Sequence, residues 1–181
     1  MLPPLSRVAG LLALCGAALV GTSRADDASE INRLFAAGQR TEAFERLDKL
    51  LATKPRDPQL RFQKGVMLAE TQRRTEAASI FNQLIVDYPE MPEPYNNLAV
   101  IYAAQGDYDK ARASLEAAVR ASPNYAVAHQ NLGDVYAQLA RSSYSQALQI
   151  DPSNAAIPPK LALLREMIKP IPASATVPAK Q

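Results

Sequence analysis

The sequence predicts an all-α protein built as an array of antiparallel helix pairs, and the clearest pair lies at residues 92–125. Apolar side chains recur there at helical spacing on both sides of a Gly106-Asp107 turn, at i, i+3, i+4 and i+7 before it and at i, i+4, i+7 and i+8 after it, as in helices with one buried face. The two patterns are formed by Tyr95, Leu98, Ala99 and Tyr102, and then by Ala111, Leu115, Ala118 and Val119. Asp107 is placed to cap the second helix, and no β-rich run interrupts the pattern.

The same residue types return at a constant step along the chain. The matched sets are Pro55, Pro89 and Pro123; Ala43, Ala77 and Ala111; Leu47, Phe81 and Leu115; and Gly65, Ala99 and Gly133. A period of about 34 with this arrangement is typical of the tetratricopeptide repeat, and the chain resembles that family over about residues 26–154. The resemblance implies a right-handed superhelical solenoid whose first helices line a concave groove. The family's large aromatic residue near each repeat start is present only as Tyr95.

The last unit departs from this period. Conventional repeats are predicted at about 24–57, 58–91 and 92–125, followed by a shortened unit at 126–154. An unbroken apolar stripe without proline runs from Ala126 to Gln149, and a break within it would leave a second helix too short to offset its nucleation cost. We therefore expect one long helix over 126–149.

The ends of the repeat domain, residues 26–169, are predicted from local signals. Asp27 and Glu30 have the spacing of a capping box, so the first helix is expected to open at Asp26-Asp27. A capping helix is expected at 158–169, and it would cover the long helix with Leu161, Leu164, Met167 and Ile168. The Pro/Ala-rich segment 170–181 is predicted to be disordered.

The N-terminal segment 1–25 is typical of a cleaved export signal. Arg7 precedes an apolar run from Val8 to Val20, and small residues stand before Asp26. The run is shorter than the about 20 residues that span a bilayer, so we expect a bacterial periplasmic protein. An uncleaved inner-membrane anchor is the alternative. The only cysteine, Cys15, lies in this run behind Leu14, which is larger than lipidation requires.

Composition excludes several function classes. Of 20 basic residues, two lie in segment 1–25, where no acid occurs, so the rest of the chain carries 18 basic and 18 acidic residues. No basic stripe is present for a nucleic acid. His129, the only histidine, lacks a triad or metal partner and is expected to pack on the inner stripe. We therefore predict no catalytic residue, no metal, no cofactor and no small-molecule substrate.

An amide series marks the predicted binding surface. Gln63, Asn97 and Asn131 share one repeat position on three successive first helices, and an amide can pair with both backbone groups of a bound peptide. The family resemblance implies that role; repeat consensus without function is the alternative. The predicted groove residues are Phe62, Gln63, Val66, Asn96, Asn97, Val100, Gln130, Asn131 and Asp134. This surface is largely neutral, so binding is expected to tolerate salt.

These features predict an interaction scaffold or adaptor of the cell envelope that binds a peptide or partner helix. The family's lysine-rich clamp for terminal carboxylates is absent, because Phe62, Val66 and Val127 stand at its places. The alternative function is a structural, self-associating protein in which the long helix pairs with its copy in a homodimer through Tyr144 and Leu148. Contact with a membrane is expected only if the signal segment is retained.

Overall fold

A computed structural model describes residues 22–168, and within that range the chain forms eight α-helices and no strand. The helices are α1 Thr22–Ala36, α2 Arg40–Thr53, α3 Pro58–Glu70, α4 Arg74–Asp87, α5 Pro92–Ala104, α6 Tyr108–Ala121, α7 Ala126–Ile150 and α8 Ile157–Met167. The all-α prediction is confirmed. Most of the predicted signal segment and the predicted tail lie outside the described residues. None of the described helices is both long and apolar enough to cross a membrane.

The first three helix pairs are closed by turns of the same geometry. Gly38, Gln72 and Gly106 occupy the same repeat position, and all have positive φ angles, of 82°, 65° and 79°. Glycine adopts this conformation without a steric penalty, whereas Gln72 holds it with a side chain present. Asp107 caps α6 as predicted, since its carboxylate accepts a hydrogen bond from the backbone N–H of Lys110 at 3.2 Å.

The helices pack so that the odd-numbered ones lie on an inner side. Within each pair the two helices pack on each other, and each pair packs on the next. In addition α3 contacts α5 and α5 contacts α7, whereas no comparable contact joins α2 to α4 or α4 to α6 in the described part of the chain. An array whose first helices approach one another while its second helices diverge must curve toward the first helices. The inner surface is therefore formed by α1, α3, α5 and α7.

The shortened fourth unit is one continuous helix, as predicted. α7 runs for 25 residues through the place where the other units turn. α8 packs on α7, burying Ile157 and half-burying Leu161, Leu164 and Ile168. The prediction for Met167 was wrong: its side chain is 68% exposed. Met167 lies off the stripe that faces α7, which is formed by Ile157, Leu161, Leu164 and Ile168.

The first helix begins earlier than the capping-box pattern indicated. α1 starts at Thr22, which places Asp27 and Glu30 inside the helix rather than at its start. Asp27 instead contacts Arg46 of α2 at 3.5 Å, whereas Glu30 pairs mainly with Arg33 of its own helix at 2.7 Å and lies 3.9 Å from Arg46. The two acids therefore form ion pairs within α1 and with α2, not an N-terminal cap.

Candidate functional site

The predicted amide series lies largely in the interior, between the first helices. Asn96 and Asn97 are fully buried and Asn131 is 5% exposed. Asn131 Nδ2 donates a hydrogen bond to Asn96 Oδ1 at 2.8 Å, which joins α7 to α5. Asn97 Nδ2 donates to the backbone carbonyl of Glu93 at 3.0 Å within α5. The Asn96–Asn131 pair therefore joins two units of the array, whereas Asn97 bonds within its own helix.

Other members of the predicted set divide between core and surface. Phe62 is fully buried with its ring centre 5.7 Å from that of Phe81, and Val100 is 6% exposed. Gln63 is half-buried and donates through Nε2 to Asn32 Oδ1 at 2.9 Å, joining α3 to α1. The expectation that Phe62 and Val100 line an open groove is thus corrected, because Phe62 packs in the core against Phe81 of α4 and Val100 is buried.

Four of the predicted groove residues are accessible on the inner surface. Gln130 is exposed, and Gln63, Val66 and Asp134 are half-buried. One acid that the sequence prediction did not include lies beside them. Glu93 is half-buried in the first turn of α5, three residues before Asn96. The signal that could have identified it is an acid one turn away from a predicted site amide.

Charge on this surface is negative rather than neutral. Neither Glu93 nor Asp134 forms an ion pair with any residue in the range 22–168. Two cations of α3 are paired with other acids: Arg61 contacts Asp87 at 2.6 Å, and Lys64 contacts Asp48 at 2.7 Å. A short-range hydrogen bond from Arg61 lowers the pKa of the Asp87 carboxyl.

Several polar atoms on and beside α5 are buried without a hydrogen-bond partner among residues 22–168. They are Asn96 Nδ2, Asn97 Oδ1 and the Tyr125 hydroxyl. Burial, and then the negative charge of Glu93, raise the pKa of Tyr125 to about 12. Unpaired donors and acceptors of this kind are uncommon in a protein interior. Two further atoms of this kind, Arg112 Nε of α6 and Gln138 Oε1 of α7, lie on the neighbouring helices.

No group of three His, Cys, Asp or Glu side chains between residues 22 and 168 is arranged to hold a metal ion. His129 does not pack on the inner stripe as expected; it is exposed, with Nε2 2.9 Å from the carbonyl oxygen of Pro123. His129 lies near the start of α7, and its neighbour Pro123 is in the loop just before that helix.

The C-terminal end presents a second, apolar surface. Ile150, Leu163 and Met167 are 77%, 62% and 68% exposed. Tyr144 and Leu148 of the long helix are only half-buried, and Lys160 Nζ of α8 lies 5.1 Å from the centre of the Tyr144 ring. α8 therefore covers part of the stripe that was expected to mediate self-association.

Comparison with known proteins agrees with this architecture. The tetratricopeptide repeat family matches at residues 29–92, 72–126 and 96–155. A similar protein is the chloroplastic tetratricopeptide repeat domain-containing protein PYG7 of Arabidopsis thaliana, which is 33% identical over 88 residues, 46% of this chain. The chain spans only 29% of that relative's length.

Solved structures share the fold at lower identity. The MamA RS-1 ArsTM double mutant matches with a TM-score of 0.58 and 21% identity, covering 82% of this chain and 86% of that one. A chain of the Naa15/Naa10 structure bound to HypK-THB matches with a TM-score of 0.53 and 15% identity, covering 81% of this chain and 23% of that one. With its family match extending over most of the described helices, the chain belongs to the tetratricopeptide repeat family.

Proposed function

We propose that the protein is an interaction scaffold whose inner surface binds an extended peptide or a helix of a partner protein. The observation that carries this proposal is the packing of α3 on α5 and of α5 on α7, which makes one continuous surface from three separate units. Gln63, Val66, Gln130 and Asp134 are accessible along it. A surface that extends over several repeats suits an elongated ligand better than a compact one.

The experiment is a selection of dodecapeptides from a random phage-displayed library on the purified protein, followed by fluorescence anisotropy with the synthetic peptides. Gln130→Trp places a large side chain on the inner surface at an exposed position and is expected to weaken binding at least tenfold. Gln83→Trp makes the same change on α4, a second helix, and is expected to leave binding unchanged. Equal affinities of both variants and the unmodified protein would place the binding site elsewhere.

We further propose that the scaffold works in the periplasm after removal of residues 1–25. The support is the N-terminal pattern of Arg7, an apolar run and small residues before Asp26. Mass spectrometry of the exported protein should give Asp26 as the first residue, and Leu12→Arg should retain the protein in the cytosol. An intact Met1 in the membrane fraction would instead support a signal anchor.

Self-association as a homodimer is the second candidate, because Ile150, Leu163 and Met167 remain exposed at the C-terminal end. The predicted pairing through α7 is less favoured, since α8 partly covers Tyr144 and Leu148. Size-exclusion chromatography with light scattering measures the mass directly. Because small apolar contacts of this kind form weak interfaces, the measurement is made at about 100 μM. A monomer at that concentration would remove this candidate.

A further inference from the structure

We propose that the contact between α5 and α7 recognises a basic segment of the partner, an extended peptide that carries two lysine or arginine side chains. The inference rests on the proposed function, because it specifies the ligand of the same inner surface. It replaces the expectation of a neutral, salt-tolerant groove.

Four residues form a line across the two helices. Glu93 and Asn96 lie three residues apart on α5, and Asn131 and Asp134 lie three residues apart on α7, so each acid is on the same helix face as its amide. The 2.8 Å hydrogen bond from Asn131 to Asn96 joins the two halves. The line therefore runs acid, amide, amide, acid; we call these four residues the acid–amide line.

The spacing of the two acids suits an extended chain. Glu93 and Asp134 are seven residues apart in repeat register, which gives about 10 Å along the helices and, with 8–10 Å between axes, a separation of about 14 Å. Four residues of extended peptide span about 13 Å. Basic side chains at i and i+4 of such a peptide can reach both carboxylates. One metal ion cannot bridge carboxylates so far apart, and nucleic acid phosphates would be repelled.

The state of the two carboxylates favours a cationic ligand. Both are half-buried, and neither has an ion pair within residues 22–168, although Asp48 and Asp87 on other faces do. Glu93 is in the first turn of α5, where the helix dipole favours an acid. Asp134 is inside the 25-residue helix α7 and has no capping role there. A partly desolvated charge is stabilised by an opposite charge, which the partner would supply.

A separate observation on the same line indicates a peptide rather than a free cation. Asn96 is fully buried, its Oδ1 accepts a hydrogen bond from Asn131, and its Nδ2 has no partner within residues 22–168. This donor lies between the two acids in repeat register; because Asn96 is fully buried, a carbonyl oxygen of a bound backbone reaches it only after the side chains that cover it move apart.

The preceding repeat provides an internal comparison. One repeat before the acid–amide line, the matching places of the contact between α3 and α5 hold Gln59, Phe62, Asn97 and Val100. None of these is charged, and Phe62 offers no hydrogen bond. Of these two contacts, only the one between α5 and α7 combines negative charge with paired amides. We therefore assign recognition of a basic segment to that contact.

The test uses the dodecapeptides selected for the proposed function. We expect them to contain more Lys and Arg than Asp and Glu, and to bind more weakly as NaCl rises from about 20 to about 300 mM. The double variant Glu93→Gln/Asp134→Asn should weaken binding at least tenfold and flatten the salt dependence. Glu45→Gln/Glu90→Gln removes the same charge from exposed places off the inner surface and should change affinity less than twofold.

The outcomes separate this inference from the proposed function. If Gln130→Trp abolishes binding while the Glu93/Asp134 double variant binds normally, the inner surface is the site and the basic-segment inference is wrong. The basic-segment inference is also wrong if the selected peptides contain no excess of basic residues. If the library yields no binder, or Gln130→Trp has no effect, the proposed function and the inference fail together. Thermal melts should show all variants folded, since the charge substitutions keep side-chain shape.

Discussion

The substitution Gly65→Ala tests how closely the two helices of the second unit approach. A Cβ atom at Gly65 would lie 2.6 Å from Cε1 and 2.9 Å from Cζ of Phe81, well inside contact distance. The Phe81 ring is fully buried against Phe62 and cannot move away without displacing it. Gly133 occupies the same repeat position, but a Cβ there meets nothing within 4 Å, because α7 continues straight and no second helix folds back.

The expected magnitudes follow from two opposing effects. In a helix interior, alanine is more favourable than glycine by about 1 kcal/mol, which both variants gain. Overpacking of a tight core costs about 1–3 kcal/mol, and this cost applies only to Gly65→Ala. The free energy of unfolding should therefore rise by up to about 1 kcal/mol for Gly133→Ala and fall by about 0–2 kcal/mol for Gly65→Ala. For a chain of this size each kcal/mol moves Tm by about 2–4 °C.

Urea and thermal melts followed by far-ultraviolet circular dichroism measure both changes. The double variant Gly65→Ala/Phe81→Leu recreates the pair found one unit later, Ala99 with Leu115, and should be less destabilised than the sum of its single changes. Equal stabilisation by Gly65→Ala and Gly133→Ala would refute the close approach of α3 and α4. A simple sum in the double variant would show that Phe81 is not the obstacle.

Three further predictions concern the buried polar groups and one ion pair. Asn131→Ala should lower the free energy of unfolding by about 1–3 kcal/mol in a urea melt, because the fully buried Asn96 amide then loses its partner. Tyr125→Phe should be neutral or stabilising, since its hydroxyl has no partner, and ultraviolet titration of the unmodified protein should show one tyrosine with a pKa of about 12. Asp87→Asn should reduce the acid sensitivity of folding: the hydrogen bond from Arg61 lowers the Asp87 pKa below 3.8, so its contribution is present above that pH and is lost as the pH falls through the lower, folded value.

Each of these has a matched control. Gln63→Ala breaks a more exposed amide pair and should cost less than Asn131→Ala; the reverse order would contradict a structural role for the Asn96–Asn131 pair. Tyr88→Phe removes a hydroxyl that donates to the Arg56 carbonyl at 2.6 Å, so it should destabilise where Tyr125→Phe does not. Glu45→Gln removes an exposed acid without an ion pair within the described helices, and its pH profile should match that of the unmodified protein.

Spacings along the sequence were sufficient to predict the fold. The constant repeat step, which compares successive units, located the helix pairs, and the unbroken stripe from Ala126 to Gln149 predicted the long helix that became α7. Both are regular spacings of residue types, which the sequence displays directly. The same local reasoning failed at Asp27 and Glu30, because a capping-box spacing does not reveal a helix that has already begun at Thr22.

Which inner-surface residues are accessible depended on contacts between units, and there the sequence was incomplete. It selected Gln130 and Asp134, which are accessible, together with Asn96 and Asn97, which are buried, and it omitted Glu93. All of these residues are polar and lie on first helices. The repeat period alone therefore cannot distinguish the buried ones from the accessible ones.

What the sequence determined by itself is the all-α repeat architecture, its period and its shortened last unit. What only the tertiary structure decided is which polar side chains of the first helices meet each other and which face outward. Asn96 and Asn131 are 35 residues apart and bond across two units, and Gly65 and Gly133 share one repeat position yet have opposite surroundings. The physical reason is that the neighbouring unit determines which side chains of a repeat are buried. Helix periodicity specifies the direction in which a side chain points, but only the position of the next helix decides whether that side chain meets protein or solvent.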